Sequence, residues 1–452
     1  MRLFFKLAIV FVLTVAIAIP LAMVNATIGE RQSYRNQAVA SVARSYAGAQ
    51  TFMGPVLIVP YTETVEVEER NPNGVVQART EARKGEWVYF PASFAVDATL
   101  KPDTRKLGLH EVRVYEVSLH GAGRIDARIP ANVDPARPRR IGVPQLSLGV
   151  ADVRGIVGTP TLLVDGRPLQ LAAGFGRRVG DRADIGGLHA NLPVPRAGEV
   201  LSLPVDVDLV LGGTESLAFV PIAKDNRFAL ASSWPHPRFG GNFLPRSRTI
   251  DASGFKARWD ISSIATNAQG QFRDGGALPK VGPDASTTGL DAVAVSLVDP
   301  VNIYTLADRA TKYGLLFVVL TFLGFFMFEL IKQLPIHPIQ YGLVGLALAI
   351  FFLLLVSLSE HIAFGRAYLL SAAACIGLLG FYLSAVLRSV ARGAGFAAML
   401  AALYGALYGL LVSEDNALVL GALLLFAILA TIMVVTRKVD WYALQGQTFR
   451  AA

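Results

Sequence analysis

Apolar positions are gathered at the two ends of the chain. Leu7 to Val24 is an 18-residue stretch interrupted only by Thr14 and Pro20, close to the ~20 apolar residues needed to cross hydrocarbon. It reads as a membrane helix. Arg2, Lys6 and Val24-Asn25-Ala26 would also suit a secretory signal, but the run exceeds the usual signal core of about 7–15 residues, so an uncleaved anchor is expected. From Tyr313 the chain turns almost continuously apolar, and five further spans read out at 313–331, 341–358, 367–387, 394–412 and 417–436. Short breakers separate them: Pro335 with Pro338, Ser359-Glu360-His361, Arg388 to Gly393, and Ser413 to Asn416.

The stretch between, 25–312, has a different texture. Thr27 to Ala49 is polar and free of proline, which continues the first helix outward. Beyond it the pattern turns to β. Val56–Val59, Val65–Val67 and Trp87–Phe90 are short β-rich runs; Val112, Val114, Val117 and Leu119 suggest a half-buried strand, and Leu203, Val205, Val207 and Leu209 alternate with period two. Further runs lie at Phe228–Leu230, 255–264 and 292–298, so strands far apart in sequence must pair. Asn73-Gly74, Asp165-Gly166 and Gly212-Gly213 separate apolar runs as hairpin loops do. The Gly- and Arg-rich stretch from about 150 to 198 reads equally as a subdomain or a long loop region. The expected fold is an α+β membrane protein: one N-terminal transmembrane helix, a large β-rich, antiparallel, sandwich-like domain, then a five-helix transmembrane bundle.

Composition supports this class: 53% of the 452 residues are hydrophobic and 17% charged, against about 25% charged for a soluble domain. The net charge of +8 invites a nucleic-acid reading, yet 25–312 carries 33 basic and 29 acidic side chains with no dense basic patch. Short-loop charge sets the orientation, because Lys and Arg are retained inside. With a cytoplasmic N-terminus, Lys332, Arg388, Arg392, Arg437, Lys438 and Arg450 fall inside, and only Arg366 falls in an outer short loop. Both termini are therefore expected in the cytoplasm and 25–312 in the periplasm.

Motifs for chemistry are scarce. Cys375 is the sole cysteine, no two histidines have the i, i+4 spacing of a helix-borne metal site, and neither a phosphate-binding GxxxxGK[ST] loop nor a GxSxG nucleophile elbow occurs. No enzyme activity, cofactor or metal is expected. Glu329, three residues before Lys332 near an inner helix end, reads as a locally paired or snorkelling acid rather than a relay. Gly405-Ala-Leu-Tyr-Gly409 is a small-xxx-small face suited to helix packing. Ser232 to Pro245 is the densest cluster of unusual residues: two prolines flank His236, and Trp234, Phe239 and Phe243 supply rigid contact surface. That segment is either a proline-locked corner filling the core or a partner-docking site. Tyr304, Arg309, Lys312 and Tyr313, between the last strand and the second span, are candidates for coupling the domain to the bundle or for anchoring a helix end at the interface.

The chain resembles the CreD family of inner membrane proteins, also called cell envelope integrity proteins. The resemblance rests on Gly54 to Pro60, Ser233 to Pro237, Gly241 to Pro245, Ser253 to Trp259, Asp308 to Tyr313 with Thr321-Phe322 and Phe328-Glu329, His337 to Tyr341, Ser359-Glu360-His361 and Asp440-Trp441-Tyr442. Asn302 departs from the acidic residue common there. This resemblance implies a Gram-negative inner membrane protein linked to a carbon-source-responsive two-component system and to envelope stress, including β-lactam response and colicin tolerance, with no enzymatic activity and no established binding residues. The expected partners are the lipid bilayer and envelope proteins or a sensor kinase, and not nucleic acid. The alternatives are a transporter, scramblase or other lipid-handling protein using the helix bundle, and a periplasmic ligand sensor coupled to a two-component system.

Overall fold

The computed structural model describes residues 2–70, 76–132, 137–176, 185–282, 285–298, 303–332, 336–413 and 417–437. Asn73-Gly74, Asn302, Pro335, Asp440-Trp441-Tyr442, Lys438 and Arg450 lie outside the described residues. The chain divides into two compact units, one of residues 1–35 with 301–452 and one of residues 36–300.

The second unit is the β domain. A nine-stranded sheet runs in the order Pro237–Gly241, Val293–Leu297, Ser216–Val220, Gln50–Arg70, Gln145–Val150, Gly187–Asn191, Ala172–Ala173, with Val76–Tyr89 and Arg139–Ile141 also paired to Gln50–Arg70. An eight-stranded sheet runs Ser247–Asp251, Gly254–Ser262, Asp225–Ser232, Ser93–Leu107, His110–Arg128, Val200–Thr214, Ile156–Val164, Arg167–Pro168. Most pairs are antiparallel, as the sequence predicts. Two are parallel: Gln50–Arg70 with Ser216–Val220, and Ser93–Leu107 with Asp225–Ser232.

Burial explains two kinds of strand pattern. One core takes Phe52, Leu57 and Val59 from the first sheet and Phe94, Val117, Val207 and Trp259 from the second, so the sheets pack as a sandwich. The eight-stranded sheet has one wet face, and Gly254–Ser262 accordingly alternates almost perfectly between buried and exposed positions. The nine-stranded sheet is covered on its other face too. There Met53, Val56, Ile58, Ala218, Val220 and Ala294 meet Phe272 of the short helix Ala268–Arg273, so Ser216–Val220 and Val293–Leu297 are buried at every position.

Asp165-Gly166 forms the expected two-residue hairpin, with φ of 50° and 69° joining Val164 to Arg167. Gly212-Gly213 does not. Both glycines lie inside strand Val200–Thr214: a Cβ at Gly212 would stand 2.6 Å from Tyr46 Oη and one at Gly213 2.5 Å from Tyr115 Cζ. They are glycines so that two tyrosine rings can lie on the strand, and the chain reverses at Glu215, where φ is 59°. Within the described residues of the stretch from 150 to 198, Ile156–Val164 joins one sheet and Gly187–Asn191 the other.

Seven helices are described: α1 (Arg2–Ser45), α2 (Ala268–Arg273), α3 (Ile303–Lys332), α4 (Pro338–Ser359), α5 (Phe364–Val386), α6 (Val390–Val412) and α7 (Ala417–Thr436). As expected, α1 continues well past its apolar run. In the helical unit its residues Ile17, Leu21, Val24 and Ile28 share a core with Val318 and Phe322 of α3 and Leu348 and Phe352 of α4. Its last turns belong to the β domain, where Ala38 and Val42 cover Val112 and Val114. Five helices, α1 and α3 to α6, are long and apolar enough to cross a membrane. The sixth expected span folds as α7, 20 residues long, and its apolar stretch Leu418–Val434 lies at the lower edge of the roughly 17–25 residues that cross hydrocarbon. Helix α3 begins ten residues before the expected span start at Tyr313.

Candidate functional site

Helices α3 and α4 are joined at both ends by the same chemistry. At the start of α3 the Tyr304 hydroxyl donates to Glu360, the C-cap of α4, at 3.4 Å. At the other end the Tyr341 hydroxyl, in the first turn of α4, donates to Glu329 near the end of α3 at 2.9 Å. Each helix thus gives a tyrosine at its beginning and a glutamate at its end, so the pair is antiparallel. Residues 341 and 360 are separated by about 29 Å of helix at 1.5 Å per residue, close to the ~30 Å of hydrocarbon. The two clasps therefore mark the two ends of the span. Glu360 also takes Arg31 of α1 at 3.5 Å, with side-chain exposures of 41% for Arg31 and 9% for Glu360, so one half-buried carboxylate gathers three helices.

Local sequence places these groups. His337 caps α4: its Nδ1 accepts from Ile339 N–H, and Gln340 Oε1 accepts from His337 N–H, a capping box followed by Pro338 in the first turn. The His-Pro-Ile-Gln-Tyr run is thereby a helix start that delivers Tyr341 to Glu329. In Ser359-Glu360-His361 the serine hydroxyl donates back to Val356 O at 2.8 Å and ends the helix. In α3, Thr311 donates to Ala307 O, and Lys312 pairs with Asp308 at 2.7 Å.

A second polar cluster lies among α4, α5 and α6. Tyr368 donates to the Tyr404 carbonyl at 2.7 Å, Tyr404 donates to Cys375 Sγ at 3.1 Å, and Cys375 donates to Ala347 O at 3.6 Å. Phe317 meets Tyr404 tilted, at 4.6 Å between ring centroids, and Phe351 meets it edge-on at 4.5 Å. Between this cluster and the Glu329 clasp the interior is filled by Phe322, Phe325, Phe352 and Phe396.

The residues singled out by sequence are distributed as follows. Of the coupling set, Tyr304 enters the Glu360 clasp, Lys312 pairs within its own helix, Arg309 is half-buried and Tyr313 packs against the helical core. Glu329, read as a locally paired or snorkelling acid, is buried and reaches across to α4. Gly405 and Gly409 have no heavy atom within 4 Å of the Cβ position, so they make no close helix contact among the described residues. The α6 face that packs is Phe396, Leu400, Tyr404, Leu407 and Leu411. In the β domain Trp234, Phe239 and Phe243 are half-buried against the sandwich core and His236 is exposed. Trp234 Nε1–H donates to His236 O at 3.0 Å and Val298 O at 3.2 Å, under the Arg113 guanidinium at 4.7 Å. Trp259 donates to Phe243 O, and Phe239 meets Phe255 and Trp259 edge-on.

One anchorage was invisible in the sequence. Asp152 accepts from Gly48 N–H at 3.1 Å and binds Arg154 at 2.6 Å, while Arg154 donates to Arg44 O, at the C-terminal end of α1, at 2.7 Å. The Arg154 hydrogen bond, then Gly48 N–H against the opposing cost of burial, holds the Asp152 carboxyl below the usual carboxylate range.

A hydrophobic helical unit pinned at both ends by interfacial Tyr–Glu pairs, in a chain that carries a β sandwich, defines a multi-span membrane protein with a large folded domain. The chain belongs to the family described as inner membrane protein CreD, which matches residues 2–442. It is 34% identical to the inner membrane protein CreD of Escherichia coli (strain K12) over 460 aligned residues, covering 100% of this chain and 96% of that one. Among solved structures, an M1 zinc metallopeptidase from Deinococcus radiodurans matches at TM-score 0.20 and 9% identity, over 46% of this chain and 42% of that one. A putative nutrient binding protein from Legionella pneumophila matches at TM-score 0.21 and 9% identity, over 50% of this chain and 82% of that one. Neither likeness carries a functional argument.

Proposed function

We propose that the protein contributes to cell envelope integrity under stress by holding its β domain in the periplasm, where the domain binds envelope components without catalysing a reaction. The observation that carries the placement is the six-to-one bias of Lys and Arg among the short loops. The helical unit acts as an anchor in this reading. Its aromatic packing supports that role, because large side chains fill the space between its polar clusters. Of the Trp234–Phe243 segment, His236 and the neighbouring exposed Arg238 remain for docking; the aromatic members are engaged with the core. Alkaline phosphatase fused after Gly282 should be active and the same fusion after Arg437 inactive; the reverse pattern overturns the placement. Growth of a deletion strain under β-lactam or detergent stress, restored by the full chain and not by the helical unit alone, tests the role of the domain.

A second reading, lipid handling or transport through the bundle, is favoured by one observation. Glu329 is a buried carboxylate near one end of a membrane-spanning helix. Glu329→Gln separates the two: the anchor role tolerates it if the protein accumulates normally, whereas a titrating transport acid does not.

A further inference from the structure

The outer face of the eight-stranded sheet is solvent-facing, and its side chains align in rows across the strands. One row sets Lys256, Ala231 and Thr99 side by side, and the next sets Arg258, Ala229 and Asp97. Two alanines in adjacent rows of one strand, flanked by longer side chains, leave a trough of about 440 Å³. Strands Ser247–Asp251 and Ser93–Leu107 are separated by two others, about 14 Å on a flat sheet, yet both line this trough. The outer face is therefore concave here.

The two walls differ in chemistry. On one side Arg258 pairs with Asp260 at 3.2 Å, an acid it shares with Arg227 at 3.3 Å. Lys256 makes no ion pair among the described residues and is exposed. On the other side stand Asp97 and Thr99, both exposed, while Thr249, beside Lys256, adds a hydroxyl at the cationic rim. A polyanion without hydroxyls, such as a run of acidic residues or a phosphodiester chain, gains from Lys256 and Arg258 and is repelled by Asp97. A neutral sugar leaves the cations unused. A molecule carrying both carboxylates and hydroxyls satisfies both walls, with the alanine methyls meeting the C–H face of a ring.

We propose that this trough binds an anionic oligosaccharide, its carboxylates on Lys256 and Arg258, with Thr249 beside them, and its ring hydroxyls on Asp97 and Thr99. The proposal deepens the envelope-binding reading above and rests on it for its biological setting. Its test is made in vitro, so it succeeds or fails independently of where the domain lies in the cell. The full chain in detergent micelles is titrated with tetragalacturonate, with neutral tetragalactose and with hexaglutamate by isothermal calorimetry. Tetragalacturonate should bind at least tenfold more tightly than either of the others and weaken as salt screens the charges. Lys256→Ala should weaken it roughly tenfold, a loss of the size that one charge-assisted hydrogen bond gives. Ala231→Trp, which fills the trough and keeps every charge, should abolish binding while far-ultraviolet dichroism stays unchanged. If Ala231→Trp does not accumulate, Ala229→Leu serves the same purpose. Equal affinity for hexaglutamate, no response to filling the trough, or no binding of tetragalacturonate overturns the proposal.

Discussion

Phe94 shows how much of the sandwich turns on single atoms. Its ring lies in a socket of three glycines: a Cβ added at Gly54, Gly121 or Gly123 would come within 2.7 Å of a ring carbon. Gly54 belongs to one sheet and the other two to its partner, so the socket sets how closely the sheets approach at this point. Gly121→Ala should destabilise the domain by about 1–3 kcal/mol through overpacking, and Phe94→Leu should recover part of that loss in the double variant, giving a clear coupling in a mutant cycle. Additive losses, measured by thermal melting, would show that the ring is not the obstacle. Asp152 supports a different test. Its folded carboxyl titrates below the unfolded value, so the stability it contributes is present above about pH 3.9 and is lost as pH falls through the folded value. Asp152→Asn should therefore cost about 1–2 kcal/mol at neutral pH, and the gap to the parent should close in acid. A gap that widens in acid would reverse the sign and remove the argument.

At the scale of elements, the apolar runs of the helices were legible because periodicity within one segment reports its own burial. The clasps were not. Nothing in the spacing of Tyr304 and Glu360, 56 positions apart, says that they meet; their pairing follows from antiparallel packing that only the fold supplies. The same limit explains Gly212-Gly213, where a glycine pair that permits a ring to lie on a strand looks identical to one that turns the chain. It also explains Ser216–Val220, whose unbroken burial hides the strand period. The trough was unreadable for a related reason, since Ala229 and Ala231 become a floor only when strands from two other parts of the sequence stand beside them. The clasps make a checkable claim. Tyr341→Phe and Tyr304→Phe each remove one interhelical hydrogen bond, and each should lower the melting midpoint in detergent by an amount corresponding to about 1 kcal/mol. Because the sites stand near opposite ends of the span, the two losses should add. A strongly non-additive double variant would mean that the clasps act as one unit.

For the whole molecule, the question is where the β domain begins. Sequence texture places its first strand near residue 50, and a fragment of residues 50–300 contains every strand of both sheets. The compact unit nevertheless starts at Asn36, because the end of α1 is part of the domain's packing. Ala38 and Val42 cover Val112 and Val114, which are 0% and 1% exposed. Thr214 donates its hydroxyl to Ala47 O at 2.6 Å, and Gly48 N–H reaches Asp152. A fragment of residues 50–300 loses all of these and uncovers two valines, whose burial is worth about 1.5–3 kcal/mol each when complete. Residues 36–300 should therefore unfold at a denaturant midpoint set by about 2–5 kcal/mol of extra stability relative to residues 50–300, with both fragments mainly β by far-ultraviolet dichroism. Neither should respond to chelator or reductant, since Cys375 lies outside both. Equal midpoints would mean that the last turns of α1 are held by the helical unit and merely rest on the domain. A mainly helical spectrum, or loss of structure with chelator, would overturn the description of the domain as a self-supporting sandwich.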